Sequence, residues 1–285
     1  MIPLIVILYM LLASIFPLSS YLLSLSFFGV THIFYELSYI YKHLAHKLPR
    51  AFIILVVGAL LLLLMIKTIA IFLSIPYSLL LIIEFSFILI LMTIACYFKT
   101  TFLTVLILLL FMVGIIVNPV ILFMCLAFLH NLTPWGFLVA ENAAHKAWIV
   151  FIICPLIVFF MSLFLAIDPG FYSLSKVNLY LSHYLVTEHI NAFMFACFAT
   201  AVYLQLIHYH YVIKILPSFC KTPIKLPGVV IGVFLIMGLI FLCNFQESKK
   251  FYSLIAMFHA YLEIPLLLYC LPRKENKLNS AVLLD

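Results

Sequence analysis

The stretch SSYLLSLSFFGVTHIFYELSYIYK, residues 19–42, decides how this chain is built. It is long enough to cross a bilayer, which takes about 20 predominantly apolar residues in a helix. Yet its second half carries His32 and Glu36. A charge or an imidazole in hydrocarbon is costly, so such a residue on a span marks a functional site whose partners come from other helices. The i, i+4 spacing puts both side chains on one helix face. The pattern recurs along the chain. Glu84, His130, His208, His259 and Glu263 interrupt other apolar runs, and His259 with Glu263 repeats the i, i+4 pair.

Composition agrees with a membrane protein. Of 285 residues, 68% are hydrophobic and only 8% charged, with a mean hydropathy of +1.33, whereas about a quarter of the residues in a soluble domain are charged. The expectation is a single integral membrane domain over residues 1–285, all-α, a polytopic transmembrane helix bundle. The apolar runs are continuous rather than alternating, which favours helices over barrel strands. Breaks at positions such as Pro17, Lys99, Pro119 and Lys214–Pro227 leave ten candidate helices. They run at about 2–16, 19–42, 51–73, 76–97, 101–117, 119–140, 147–167, 185–213, 227–246 and 251–272, so about ten spans are expected, within a range of eight to ten. The first run, Ile2–Ile15, has no basic n-region and reads as a retained span rather than a cleaved signal peptide.

The net charge of +6 does not point to nucleic acid, because the basic residues sit in short clusters at span ends. That is the positive-inside pattern. An even span count with both termini cytoplasmic puts Lys42, Lys47, Arg50, Lys99, Lys146, Lys214, Lys221, Lys225, Arg273, Lys274 and Lys277 inside. Only Lys176, Lys249 and Lys250 then fall outside, with Lys67 within a span. The seven cysteines are scattered with no CxxC pair, which supports neither a disulfide framework nor a thiolate zinc site.

In this topology every intramembrane histidine and glutamate lies on an even-numbered helix, which suggests a polar inner bundle wrapped by lipid-facing helices. Counting 1.5 Å per residue from the cytoplasmic ends puts all seven about 8–20 Å deep. One or two metal ions could therefore be reached by His32, His130, His208, His259, Glu36, Glu263 and Glu84. A lone membrane histidine is as readily an interhelical hydrogen-bond partner, and a lone Glu84 a packing or proton-relay residue. It is the matched depth on several helices that favours a metal. Gln205 shares a face with His208, and His210 points away toward the interface. Glu188 and His189 lie about 28 Å from His208 along the same helix and are assigned to the outer mouth. His43, His46, His145 and His183 read as solvated loop residues.

Imidazole with carboxylate and no thiolate suits iron, manganese or zinc. An oxygen-activating non-haem iron site best explains a position inside lipid, where apolar substrates and dioxygen both dissolve. Glu36 and Glu263 would be the catalytic carboxylates, ligating the metal or orienting its histidines. The expected partners are an apolar small-molecule or lipid substrate, dioxygen and membrane lipids, with no nucleic acid.

At these residues the chain resembles the Brp/Blh family of membrane β-carotene dioxygenases. Gly29, His32 and Glu36 follow that family's early glycine, histidine and acidic spacing, and His130, His208 and His259 stand where further membrane histidines are found. The resemblance covers a few short segments, with Thr31 in place of the usual proline. It implies a multi-helix membrane fold and iron-dependent cleavage of a carotenoid to an aldehyde, and the expected location is the bacterial inner (cytoplasmic) membrane. A proton- or cation-coupled transporter using the same residues is a second reading. A haem held by axial histidines such as His130 and His208 is a third.

Overall fold

The computed structural model describes residues 2–73, 75–165 and 192–270. Among these there are eleven α-helices and no strand. They are α1 (Ile2–Ile15), α2 (Pro17–Tyr39), α3 (Arg50–Leu73), α4 (Tyr77–Phe98), α5 (Phe102–Val117), α6 (Pro119–Asn131), α7 (Thr133–Ala140), α8 (Cys154–Leu165), α9 (Ala192–His210), α10 (Gly228–Cys243) and α11 (Phe245–Cys270). A π-helical turn, Ile40–Leu44, extends α2, another, Tyr211–Ile215, extends α9, and a third, Ile149–Ile153, leads into α8.

Local chemistry sets the boundaries. Proline opens α2, where its fixed φ suits the first turn and its missing N–H costs nothing. At α5 the hydroxyl of Thr101 accepts the Thr104 N–H while the Thr104 hydroxyl accepts the Thr101 N–H, closing a reciprocal cap. Before α6, Asn118 Oδ1 accepts the Ile121 N–H at 3.1 Å. Thr133-Pro134 restarts the chain after Asn131, and α6 and α7 are bent by 51° there. The sequence expectation of one helix at about 119–140 is corrected accordingly: Pro134 lacks the N–H that an unbroken helix would need.

Five helical segments are long and apolar enough to cross a membrane: Pro17–Lys47, Arg50–Leu73, Ser78–Phe98, Ala192–Phe219 and Glu247–Cys270. The bent pair α6–α7 makes a sixth if it counts as one span. The apolar segments Pro3–Ile15, Phe102–Val117, Ile149–Phe164 and Gly228–Cys243 are shorter. Fewer described helices therefore have spanning length than the ten-span expectation supposed.

The helices are not equally enclosed. In its most apolar window α9 is 67% buried and α2 50%, against 22% for α3, so α9 and α2 form the centre. The helix α9 packs on α8, α1, α2 and α6, and α11 packs on α4, α3, α2, α7 and α10. Large apolar side chains such as Leu61, Leu62, Leu109 and Ile236 face outward, as lipid contact requires. Gly238 lets α10 lie directly on α2, since a Cβ there would stand 2.7 Å from the Ser26 carbonyl oxygen. Small residues permit such backbone approach in membrane bundles.

Candidate metal centre

Four helices bring one histidine each to a common point: His32 from α2, His130 from α6, His208 from α9 and His259 from α11. One ring nitrogen from each lies within 4.8 Å of the others. Two nitrogens on opposite sides of one ion, each at about 2.1 Å, are about 4.2 Å apart, so the group could hold a metal ion. His32, His208 and His259 are buried, and the side chain of His130 is partly exposed, at 22%. A second group overlaps the first: Glu36, His208 and Glu263 also offer atoms within 4.8 Å of one another.

The hydrogen bonds orient the rings. His32 Nδ1 lies 3.1 Å from the Phe28 carbonyl oxygen, and His259 Nδ1 lies 3.5 Å from that of Ile255. A carbonyl can only accept, so a hydrogen bond there puts the proton on Nδ1 and leaves a lone pair on Nε2. Those two Nε2 atoms face each other at 3.2 Å. With both rings protonated on Nδ1 the two Nε2 lone pairs repel unless a proton joins them or a metal ion lies beside them. His130 follows the same rule, because its Nδ1 lies 2.6 Å from Glu263 Oε2 and its Nε2 is left for a ligand. This is the carboxylate–histidine arrangement that fixes the tautomer and raises the basicity of a metal-binding imidazole.

Glu263 is held in turn by Thr133, whose hydroxyl lies 2.9 Å from Oε1. Thr133 stands at the α6–α7 bend, directly after the turn bearing His130, and its hydroxyl also reaches the His130 carbonyl at 2.7 Å. The ring of Tyr209 stacks on His32 with centroids 4.3 Å apart. Glu36 and His208 are the least satisfied groups. Among the described residues neither carboxylate oxygen and neither ring nitrogen meets a partner in good hydrogen-bond geometry, although both side chains are fully buried. The nearest approach is 3.9 Å between His208 Nε2 and Glu36 Oε2. A buried polar group left unmatched costs about 1–3 kcal/mol, and Glu36 lies close to a second carboxylate, Glu263. A cation at this point would remove all of these penalties together.

The histidines and the two carboxylates expected from the sequence thus meet. Glu84 stands apart from the cluster. Its carboxylate is 2.7 Å from Lys67 Nζ and accepts the Tyr261 hydroxyl at 2.5 Å. Gln205 turns to Ser24 of α2, at 2.8 Å, and His210 lies edge-on to Tyr9 of α1. His43 is no solvated bystander: with Lys47 it contacts Glu141 Oε1, each at 3.0 Å, and it stacks on Tyr39. Partial burial pushes the Glu141 carboxyl up, but the hydrogen bonds from Lys47 and His43 outweigh it and leave the pKa below the ordinary value. Glu188, His189 and His183 lie outside the described residues.

Sequence reasoning passed over Thr133, Tyr209 and Tyr261. Only Thr133 carried a local signal, the Thr-Pro pair that starts a helix three residues after His130. A cavity of about 1470 Å³ borders the cluster, reaching His32, His130, His259 and Glu263. Its other walls are mainly apolar, with Phe111, Phe123 and Leu126 among them. No protein-family model, no curated protein and no solved structure matches the chain.

Proposed function

We propose that the chain is a membrane-embedded, metal-dependent oxygenase that holds non-haem iron on His32, His130, His208 and His259. It acts on an apolar lipid or isoprenoid of carotenoid-like character, in a bacterial inner membrane with both termini cytoplasmic. The observation that carries this reading is the convergence of four imidazoles, with the Nε2 atoms of His32 and His259 3.2 Å apart, beside a largely apolar cavity. Imidazole-rich sites suit iron and zinc, with manganese favoured where carboxylates dominate. Iron is preferred because a cavity with mainly apolar walls suits an apolar substrate and dioxygen. The resemblance of Gly29, His32 and Glu36 to the Brp/Blh pattern supports the same choice.

Bound iron would supply the activation of dioxygen. The chain's own residues bind and orient. Glu263 holds the Nδ1–H of His130, the helix carbonyls of Phe28 and Ile255 hold His32 and His259, and Glu36 stands beside His208 and Glu263. Oxidative cleavage of a carbon–carbon double bond by one dioxygen molecule gives two carbonyls and needs no other co-reactant. A haem fits poorly, because the His130 and His208 ring centroids are 4.7 Å apart and those of His130 and His259 4.9 Å apart. That crowding leaves no plane for a macrocycle.

The test is elemental analysis and an optical spectrum of detergent-purified protein, alone and after anaerobic Fe(II) loading. About one iron per chain without a Soret band is expected, and alanine at any of the four histidines should abolish it while the protein remains membrane-inserted. Tight zinc or manganese alone would replace iron in the reading, and a Soret band would replace it with haem. Failure to bind any of these metals would sink the oxygenase and favour transport.

A further inference from the structure

A second polar group borders the same cavity. Lys67 of α3, Glu84 of α4 and Tyr261 of α11 form a linked set on its wall, the ammonium on one carboxylate oxygen and the phenol on the other. An ion pair taken out of water pays a desolvation cost that an apolar pair would avoid. An intramembrane ionisable residue therefore calls for a function. Among the described residues the Lys67 ammonium meets no partner but Glu84, yet it has three N–H donors. A purely hydrocarbon occupant would leave the others desolvated.

We infer that Lys67, Glu84 and Tyr261 bind the oxygen-bearing end of the substrate, a long and mostly hydrocarbon molecule with one neutral hydroxyl or carbonyl group. The inference rests on the oxygenase reading for what happens at the other end of that molecule. Neutrality follows from the charge count. The ammonium and carboxylate cancel, so an anionic headgroup would gain Lys67 but face Glu84, whereas a neutral oxygen accepts from the ammonium without that repulsion. Position follows from α11. Tyr261 lies two residues from both His259 and Glu263, hence on the opposite side of a helix about 10–12 Å across. The oxygen-bearing end is therefore anchored roughly a helix diameter from the histidines, and the carbon presented to the metal lies within the hydrocarbon chain.

The experiment measures binding of radiolabelled geranylgeraniol to the full chain in nanodiscs, corrected for empty nanodiscs. The same-length hydrocarbon lacking the hydroxyl and the matching carboxylic acid are run beside it. A hydrogen bond from a charged donor contributes enough to give about tenfold or more, so the wild-type chain should hold the alcohol at least that much more tightly than either. The double variant Lys67→Met/Glu84→Leu, which leaves no lone charge behind, should lose the preference yet still bind Co(II) at the histidines. Equal binding of alcohol and hydrocarbon by wild type, preference for the acid, or a preference undiminished in the folded double variant would each overturn the inference. The wild-type comparison decides even if the variant does not fold. A wild-type chain that prefers the alcohol but binds no Co(II) would instead remove the oxygenase reading and leave this site standing.

Discussion

Glu263→Gln separates a carboxylate that orients a ligand from one that is itself a ligand. Glu263 Oε2 lies 2.6 Å from His130 Nδ1, and Oε1 lies 2.9 Å from the Thr133 hydroxyl. Both oxygens are thus engaged in holding His130 and the α6–α7 bend. Glutamine keeps the volume and one acceptor but loses the charge that strengthens the His130 bond. Loss of such a partner typically lowers metal affinity about 10–100-fold, or about 1.4–2.8 kcal/mol. Titration of nanodisc-embedded protein with Co(II), followed by visible absorption, should therefore show a weaker site with an unchanged stoichiometry of one. Thr133→Val removes a neutral hydroxyl whose single proton is shared between Glu263 Oε1 and the His130 carbonyl, and should cost less than tenfold. Complete loss of Co(II) in Glu263→Gln would make Glu263 a ligand. An unchanged affinity, in a protein where His130→Ala abolishes binding, would refute the positioning role.

Close packing gives another test. Gly238→Ala should lower thermal stability in detergent by about 1–3 kcal/mol, because its Cβ meets backbone rather than a movable side chain. Gly58→Ala, with open space around it, should be neutral or slightly stabilising. Just past the end of α7, the lowered Glu141 pKa means the ionised form is favoured in the folded state, so its contribution is present above the ordinary value of 4.5 and fades as pH falls through the lower folded value. Melting curves should show wild type losing stability below about pH 4.5 more steeply than Glu141→Gln; parallel acid limbs would contradict this. Reporter fusions after Arg50, Lys99 and Lys221 should all give a cytoplasmic signal, and a periplasmic signal after Lys221 would invert α9 relative to the proposed topology.

The membrane class and the cluster were legible because hydrocarbon punishes exceptions: an imidazole or carboxylate in an apolar run stands out with no knowledge of the fold. What could not be read was pairing. The i, i+4 spacing placed Glu263 on the face of His259, but its hydrogen bond goes to His130 on another helix. Glu84 carried the same signal as the cluster glutamates, and only the packing of α3 on α4 shows that Lys67 claims it. His43 looked like a loop residue because Lys42 and Lys47 surround it, and Glu141, its partner, lies far off in sequence. The α6–α7 bend was readable from Thr133-Pro134, where hydropathy alone joined two helices into one. Span count was least legible, since α1, α5 and α10 are as apolar as the long helices but shorter.

The π-helical turns at Ile40–Leu44 and Tyr211–Ile215 each follow directly on a helix that carries a cluster histidine. They free the two ends of each helix from a shared register. Upstream, the azimuth of α2 is dictated by His32 and Glu36. Downstream, Lys47 and His43 must meet Glu141, and Lys42 must reach the Pro223 carbonyl. Deleting one residue within Ile40–Leu44 would turn everything after it by roughly 100°, swinging that latch away from Glu141 while leaving the histidine above it in place. Chain length in these turns is thus a coordinate that can drift, by insertion or loss of single residues, to retune how the surface around Glu141 is assembled without disturbing the chemistry beneath it.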